Sequence, residues 1–238
     1  MVRDELKSNN YYEDRVIEAA DSAKSLTEKK CRVIADGSNV EDITRLSSFG
    51  VLYYRDLVKS MYSAGRPLEE IQKEVISLVE NVCDRGDKGS VWDTFSAISL
   101  AVLFDVDKEV SNKLLERMKK SKIKDLLVDH MMNYFDPSWE IGSGTYKYMK
   151  PYRGLDAVVN CANRDEAAEI LKKYLEKEWY KKHREAAWHD SHKSEHNTYL
   201  GYWSFESGAI AKIMGLDNEK LKGVQYYPYD MVGQKVVK

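Results

Sequence analysis

The sequence is poor in proline, glycine and cysteine, and each shortage removes a class of protein. Four prolines and 13 glycines in 238 residues leave little material for a β-sandwich with its many tight turns. The three cysteines, Cys31, Cys83 and Cys161, are odd in number, far apart and without a CxxC pair. They read as reduced thiols of a cytosolic protein, because no disulfide framework can be built from them. Long apolar runs are missing too. Ala97 to Phe104 comes nearest and is interrupted by Ser99, whereas a membrane span needs roughly 18 apolar residues. The opening MVRDELKSNNYYEDR is charged where a signal peptide requires an apolar stretch. Excess charge is absent as well: 37 basic residues face 39 acidic ones, for a formal net charge of −2. That balance calls for neither a nucleic acid nor an anionic membrane as partner. The expectation is a cytoplasmic protein without direct contacts to either.

What the sequence does contain is ample core material, 43% hydrophobic and 32% charged residues, arranged with a helical period nearly throughout. Ile43, Leu46, Gly50, Tyr53, Tyr54, Leu57, Val58 and Met61 form one amphipathic stripe. Gly65 and Pro67 interrupt it, and Leu68, Ile71, Val75, Leu78, Val79 and Val82 begin the next. Two long stripes joined by a short break predict an antiparallel helical hairpin. Residues 3–30 read as a preceding helix with Leu6, Val16, Ile17, Ala20, Ala23 and Leu26 on its apolar side. The segment Arg85-Gly86-Asp87-Lys88-Gly89 is a junction, followed by the most apolar helix (Trp92, Phe95, Ile98, Val102, Leu103), with Ser90 and Asp93 placed as a capping box. Asp107 is placed to cap a further helix, Asn163 another, and a last long helix is expected from about Thr198 to Met214, ending at Gly215. Residues 136–149, with Pro137, Gly142 and Gly144, make the longest loop. The fold class is all-α: a multi-helix bundle of antiparallel hairpins, with an N-terminal helical region (1–86) packed on a larger C-terminal helical domain (87–238). The N-terminal part has 13 basic and 16 acidic residues, the remainder 24 and 23, so neither half is strongly charged.

Four of the five histidines lie between residues 183 and 196. Were residues 186–198 helical, His189, His192 and His196 would share one face, with His192 and His196 at the i, i+4 spacing of a zinc-binding pair. The zincin motif, however, places Glu directly after the first His, and Lys193 stands there. A structural polar cluster is therefore preferred, and a metal-dependent enzyme using these three histidines is the alternative. No GxSxG elbow, GxxxxGK[ST] loop or strand-linked GxGxxG occurs, which leaves no catalytic residue, cofactor or metal to assign. A generic helical adaptor would need a repeat of about 34 residues, and none is present. The aromatic group Tyr199, Tyr202, Trp203 and Phe205 surrounds Glu206. On a continuous helix Tyr199, Trp203 and Glu206 would share a face, and a buried Glu206 would need a tyrosine or histidine partner.

These residues also carry a resemblance. Asp190, His192, Asn197, Tyr199, Tyr202, Trp203 and Glu206, the last four within TYLGYWSFE, are followed by IAKIMGLD and by Tyr226, Tyr227, Pro228 and Asp230 in YYPYD. With YSAG at 62–65, DPSW at 136–139 and LKKYLEKEWY at 171–180, this pattern resembles the PoNi-type immunity proteins, which protect bacteria from PoNe polymorphic nuclease effectors. The resemblance covers almost the whole chain and implies a toxin-neutralising role in interbacterial competition rather than catalysis. The partner it implies is a DNase toxin domain of the PD-(D/E)xK-like class, held in a stoichiometric inhibitory complex. A DNA-binding cleft is usually basic along its phosphate track, so acidic residues are its natural complement. The candidates are Glu13, Asp14, Glu18 and Asp21 on the first helix and Glu69, Glu70 and Glu74 on the third. The recognised motif residues read as scaffold.

Overall fold

The computed structural model describes residues 2–37, 39–142 and 150–234. Among them every regular element is helical and no strand forms. The chain divides into two compact units: Met1–Ala97 with Val106–Lys122 and His192–Tyr202, and Ile98–Asp105 with Ile123–Ser191 and Trp203–Lys238.

The first unit begins with three long helices, α1 (Asn9–Ala35), α2 (Val40–Ser63) and α3 (Leu68–Asp84). Ser8 caps α1 by accepting from the Tyr11 amide, and Asn39 caps α2 by accepting from the Asp42 amide. These caps satisfy donors that a helix start otherwise leaves unpaired. The first helix therefore starts after residue 8 rather than at residue 3. Residues 3 and 4 are held by the α2 end instead, their amides donating to the Ser63 carbonyl. Gly65 adopts φ +80° between α2 and α3, and Pro67 sits just before the first turn of α3, as a short helical hairpin requires. Neighbouring helices pack along the predicted stripes: α1 on α2, α2 on α3, and α3 on α5 (Lys108–Lys119). Gly50 of α2 lies against Asn81 of α3; a Cβ there would stand 2.3 Å from the Asn81 side-chain oxygen.

The helix α4 (Val91–Leu103) is divided between the units, its first seven residues belonging to the first. Its capping box forms only in part. Ser90 Oγ accepts from the Trp92 amide, while the Asp93 carboxylate is taken up by arginines. Its expected burial holds from Asp93 onward, but Trp92 is 46% exposed. Asp107 caps α5 through the Val110 amide, as predicted.

The second unit contains α6 (Leu126–Phe135), α7 (Gly154–Val159), α8 (Arg164–Tyr174), a π-turn at Leu175–Trp179, α9 (Tyr180–Lys182), α10 (Phe205–Met214) and α11 (Tyr229–Gly233). Asn163 caps α8 by accepting from the amides of Asp165 and Glu166, and Gly215 closes α10 at φ +61°. At the centre is α10, buried from Phe205 through Ala211 and packed against α6, α7, α8 and α11. Its small residues Ser207, Gly208, Ala209 and Ala211 permit that approach on several sides. The helix is shorter than the sequence predicts, because residues 199–204 are not helical: Gly201 takes φ +95° and the Ser204 amide donates to the Tyr226 carbonyl. In α7, a Cβ on Gly154 would stand 2.2 Å from the ring of the buried Tyr174. Gly154→Ala is therefore expected to destabilise the protein by about 1–3 kcal/mol through overpacking, read as a lower urea midpoint. A midpoint equal to that of the parent would show that the ring gives way freely.

All three cysteines are free, and burial, with Asp84 beside it, pushes the Cys83 thiol up to about 12. No described helix is long and apolar enough to cross a membrane. The final part of the predicted 136–149 loop lies outside the described residues. Its first part is tied down by Asp129, which accepts from Trp139 Nε1 at 3.0 Å and from the Gly142 amide at 3.2 Å.

Candidate partner-binding surface

An amphipathic helix turns one face to its neighbours and the other to water, so a carboxylate at the right phase is exposed by the same pattern that builds the core. On α1, Tyr12, Val16, Ala19, Ala23 and Leu26 are buried, and Asp14, Glu18 and Asp21, at i, i+4 and i+7, stand exposed on one opposite face. Glu18 accepts from Arg15 one turn earlier. Asp21 lines an open groove between α1 and α2 together with Ser22, Ser25, Leu26, Lys29 and Tyr53. Glu13 is different, because it is half-buried and engaged by Arg66. That ion pair joins the start of α1 to the link between α2 and α3.

The second acidic set splits in the same way. Glu69 and Glu70 are exposed in the first turn of α3, where carboxylates also favour the positive end of the helix dipole. Glu74 is only partly exposed, and burial raises its carboxyl above the ordinary value against a weaker opposing pull from Lys73. Five of the seven acidic candidates are thus exposed, while Glu13 and Glu74 are partly withdrawn.

The predicted apolar stripe does not include what α2 adds to this surface. Phe49 is 47% exposed and Leu52 38% exposed, one turn apart on the face that also carries Tyr53. Tyr53 belongs to the predicted core stripe but lines the groove instead. Phe49 and Leu52 lie outside that stripe, and this departure from period is the one sequence signal that could have marked them.

The histidines are not assembled into a site. Residues 186–198 form turns and a short 3-10 segment at Ser191–Lys193, with Asp190 at φ +58°. The helix that would align His189, His192 and His196 does not exist. His192 Nδ1 instead hydrogen-bonds Tyr202 Oη at 2.7 Å, His189 stacks on Tyr180 with ring centroids 4.1 Å apart, and the His196 amide donates to Ser194 Oγ. Among the described residues no group of three or more His, Cys, Asp or Glu side chains is placed to hold a metal ion.

The motif residues resolve into two buried networks. In the first unit, Tyr12 and Tyr199 donate to the two oxygens of the buried Asp4 carboxylate at 2.7 and 2.6 Å. Burial first, and then the Asp4 carboxylate, pushes both phenols far above their ordinary value. Tyr11 Oη donates to the Tyr199 carbonyl and accepts from the Tyr199 amide, each at 3.0 Å, and Ser63 Oγ donates to the Leu200 carbonyl at 2.8 Å. These bonds occupy the backbone where a helix was expected, so Tyr199, Trp203 and Glu206 do not share a helix face.

In the second unit, Trp179 stacks on Trp188 (5.3 Å) and meets Tyr226 and His183 (each 4.8 Å). Tyr180 donates to Asp190 at 2.8 Å. Buried Glu206 has a tyrosine partner: it hydrogen-bonds Tyr152, whose phenol is raised well above normal by burial and then by that carboxylate. Tyr227 donates to Asn218 at 2.9 Å, and Pro228 packs over Gly208. Trp203 is half-buried, and Asn197 and Asp230 are exposed.

Two family models match the chain, one after the other. A family model described as "PoNe immunity protein (PoNi), N-terminal" matches residues 3–116, and one described as "PoNe immunity proteins (PoNi), C-terminal" matches residues 123–231. Among curated proteins, none matches the chain. Among solved structures, "The Crystal Structure of Protein PA2201 from Pseudomonas aeruginosa" is similar over 98% of this chain and 97% of that one, with TM-score 0.63 and 15% identity, a likeness of fold.

Proposed function

Because the chain belongs to the PoNe immunity protein (PoNi) family, we propose that it is a non-catalytic inhibitor that binds one cognate nuclease toxin and neutralises it in the cytoplasm. The observation that carries this reading beyond the family is the exposed face of α1 with Asp14, Glu18 and Asp21. A nuclease must present cations along the path of the DNA backbone. A carboxylate face of opposite sign attracts that path from a distance and speeds encounter. Glu69 and Glu70 on α3 extend the acidic surface of the same unit. With a net charge of only −2, complementarity is local, and mimicry of DNA by the whole protein is not required.

The experiment is a titration of this protein into the nuclease domain encoded beside it, following plasmid cleavage and binding heat together. Inhibition that saturates at a fixed molar ratio supports the reading; undiminished cleavage at excess inhibitor removes it. The acidic face has its own test. Glu18→Lys combined with Asp21→Lys is expected to slow association by about tenfold at low salt, with the difference shrinking as salt screens it. An unchanged association rate at low ionic strength would take this face out of the encounter.

A further inference from the structure

We propose that the open groove between α1 and α2 is the anchoring subsite for the nuclease, receiving an arginine side chain that is flanked by apolar residues of the toxin. This rests on the immunity reading above and specifies where the complex is held rather than how it is steered.

Three observations converge on the groove. First, it has room for a side chain: its volume is about 410 Å³, and it lies wholly within the first unit. Second, its lining matches a guanidinium. The Asp21 carboxylate and the Tyr53 ring line the same opening, one offering a charge partner and the other a flat π face. Asp21 has no ion-pair or hydrogen-bond partner among the described residues, so it can pair with an incoming cation without breaking an internal bond. Ser22, Ser25, Leu26 and Lys29 complete the lining.

Third, beside Tyr53 but outside the groove lining, α2 presents an apolar bank where a solvent-facing helix surface is ordinarily polar. Phe49 and Leu52 are 47% and 38% exposed beside Tyr53, and Ile17 is 58% exposed on α1 among Asp14, Glu18 and Asp21. An apolar centre edged by charge is the usual layout of a protein-binding surface, in which a few aromatic and arginine contacts carry most of the affinity. The carboxylates on α1 select a basic partner, and the apolar bank selects against bare DNA-like or purely ionic ligands.

The test compares dissociation of the complex with the adjacent-encoded nuclease domain for single variants of the full chain. Phe49→Ala, Leu52→Ala, Tyr53→Ala and Asp21→Asn are each expected to raise the dissociation rate by about tenfold or more. Trp92→Ala, an equally exposed aromatic on α4, and Glu28→Gln, an exposed carboxylate of α1 outside the groove, are expected to change it less than about twofold. Phe49 and Leu52 are exposed, so their variants keep the parent's urea midpoint and separate binding from folding even if Tyr53→Ala is less stable. Wild-type binding with the two groove variants and the two variants of the adjoining apolar bank all within about twofold of it overturns the groove proposal and leaves the immunity reading standing. Absence of any wild-type binding defeats the immunity reading, and the groove proposal falls with it.

Discussion

Asp93→Ala is expected to destabilise the protein by about 3–5 kcal/mol, the cost of leaving a buried cation without its anion. Asp93 is 5% exposed and Arg85 only 2% exposed. The Asp93 carboxylate accepts from Arg55 Nη1 at 2.7 Å and lies 3.7 Å from Arg85 Nη1. Burial pulls the Arg85 guanidinium below its ordinary value, with Asp93 opposing that pull. Arg85 also donates to the Ser90 carbonyl at 2.7 Å and to Thr94 Oγ1 at 2.8 Å, which ties the glycine-rich junction to the start of α4. Two neutral acceptors do not replace a carboxylate, so the charge stays uncompensated in the variant. Urea denaturation monitored by circular dichroism reads the effect. Asp56→Ala is the control, since Asp56 is more exposed and Arg55 keeps Asp93 when it is lost; its cost is expected below about 1 kcal/mol. The double variant Arg85→Met with Asp93→Leu should recover much of the loss, because removing both charges removes the desolvation problem. A single Asp93→Ala variant within about 1 kcal/mol of the parent would show that water reaches Arg85.

The second large effect lies in the other unit. Trp179→Ala is expected to cost about 3–5 kcal/mol, as for other buried aromatic side chains cut to alanine. Trp179 is 2% exposed and touches three rings, Trp188, Tyr226 and His183, while His183 Nδ1 is bonded to its carbonyl at 2.7 Å. Removing the indole takes away the common surface on which residues 183–191 and the 226–229 segment are held. Near-UV circular dichroism should therefore lose much of its aromatic signal at a temperature where far-UV signal from the long helices persists. Trp179→Phe keeps part of the contact area and should lose less. Equal stability of the alanine variant and the parent would mean that the rings close over the vacancy.

What was readable in advance follows from how local each cause is. The α2–α3 hairpin needs only a stripe at helical spacing, a glycine able to take positive φ and a proline after it, all within 45 consecutive residues 40–84. The caps at Asp107 and Asn163 are equally local, since the side chain reaches an amide two or three residues on. Residues 186–204 show the opposite case. Their histidines and tyrosines are spaced as on a helix, yet Tyr199 bonds to Asp4 across 195 positions and Ser63 to Leu200 across 137. Side chains and carbonyls that find partners so far away leave the i→i−4 ladder unformed, and spacing alone carries no trace of them. Glu206 is intermediate. Its need for a partner was legible from burial among aromatics, but Tyr152, the residue that meets the need, is 54 positions upstream.

The candidate surface divides along the same line. By itself the sequence determined that the chain is helical, that it belongs with the PoNi immunity proteins, and that α1 and α3 carry acidic faces, because hydrophobic period and residue identity are properties of short segments. Tertiary structure alone decided that Glu13 is engaged by Arg66 and Glu74 half-buried, whereas Asp21 remains uncommitted beside Tyr53. It alone left Phe49 and Leu52 in solvent. Which carboxylate is free and which apolar side chain is uncovered depends on the neighbouring helix that packs there, and that neighbour is chosen by the whole chain.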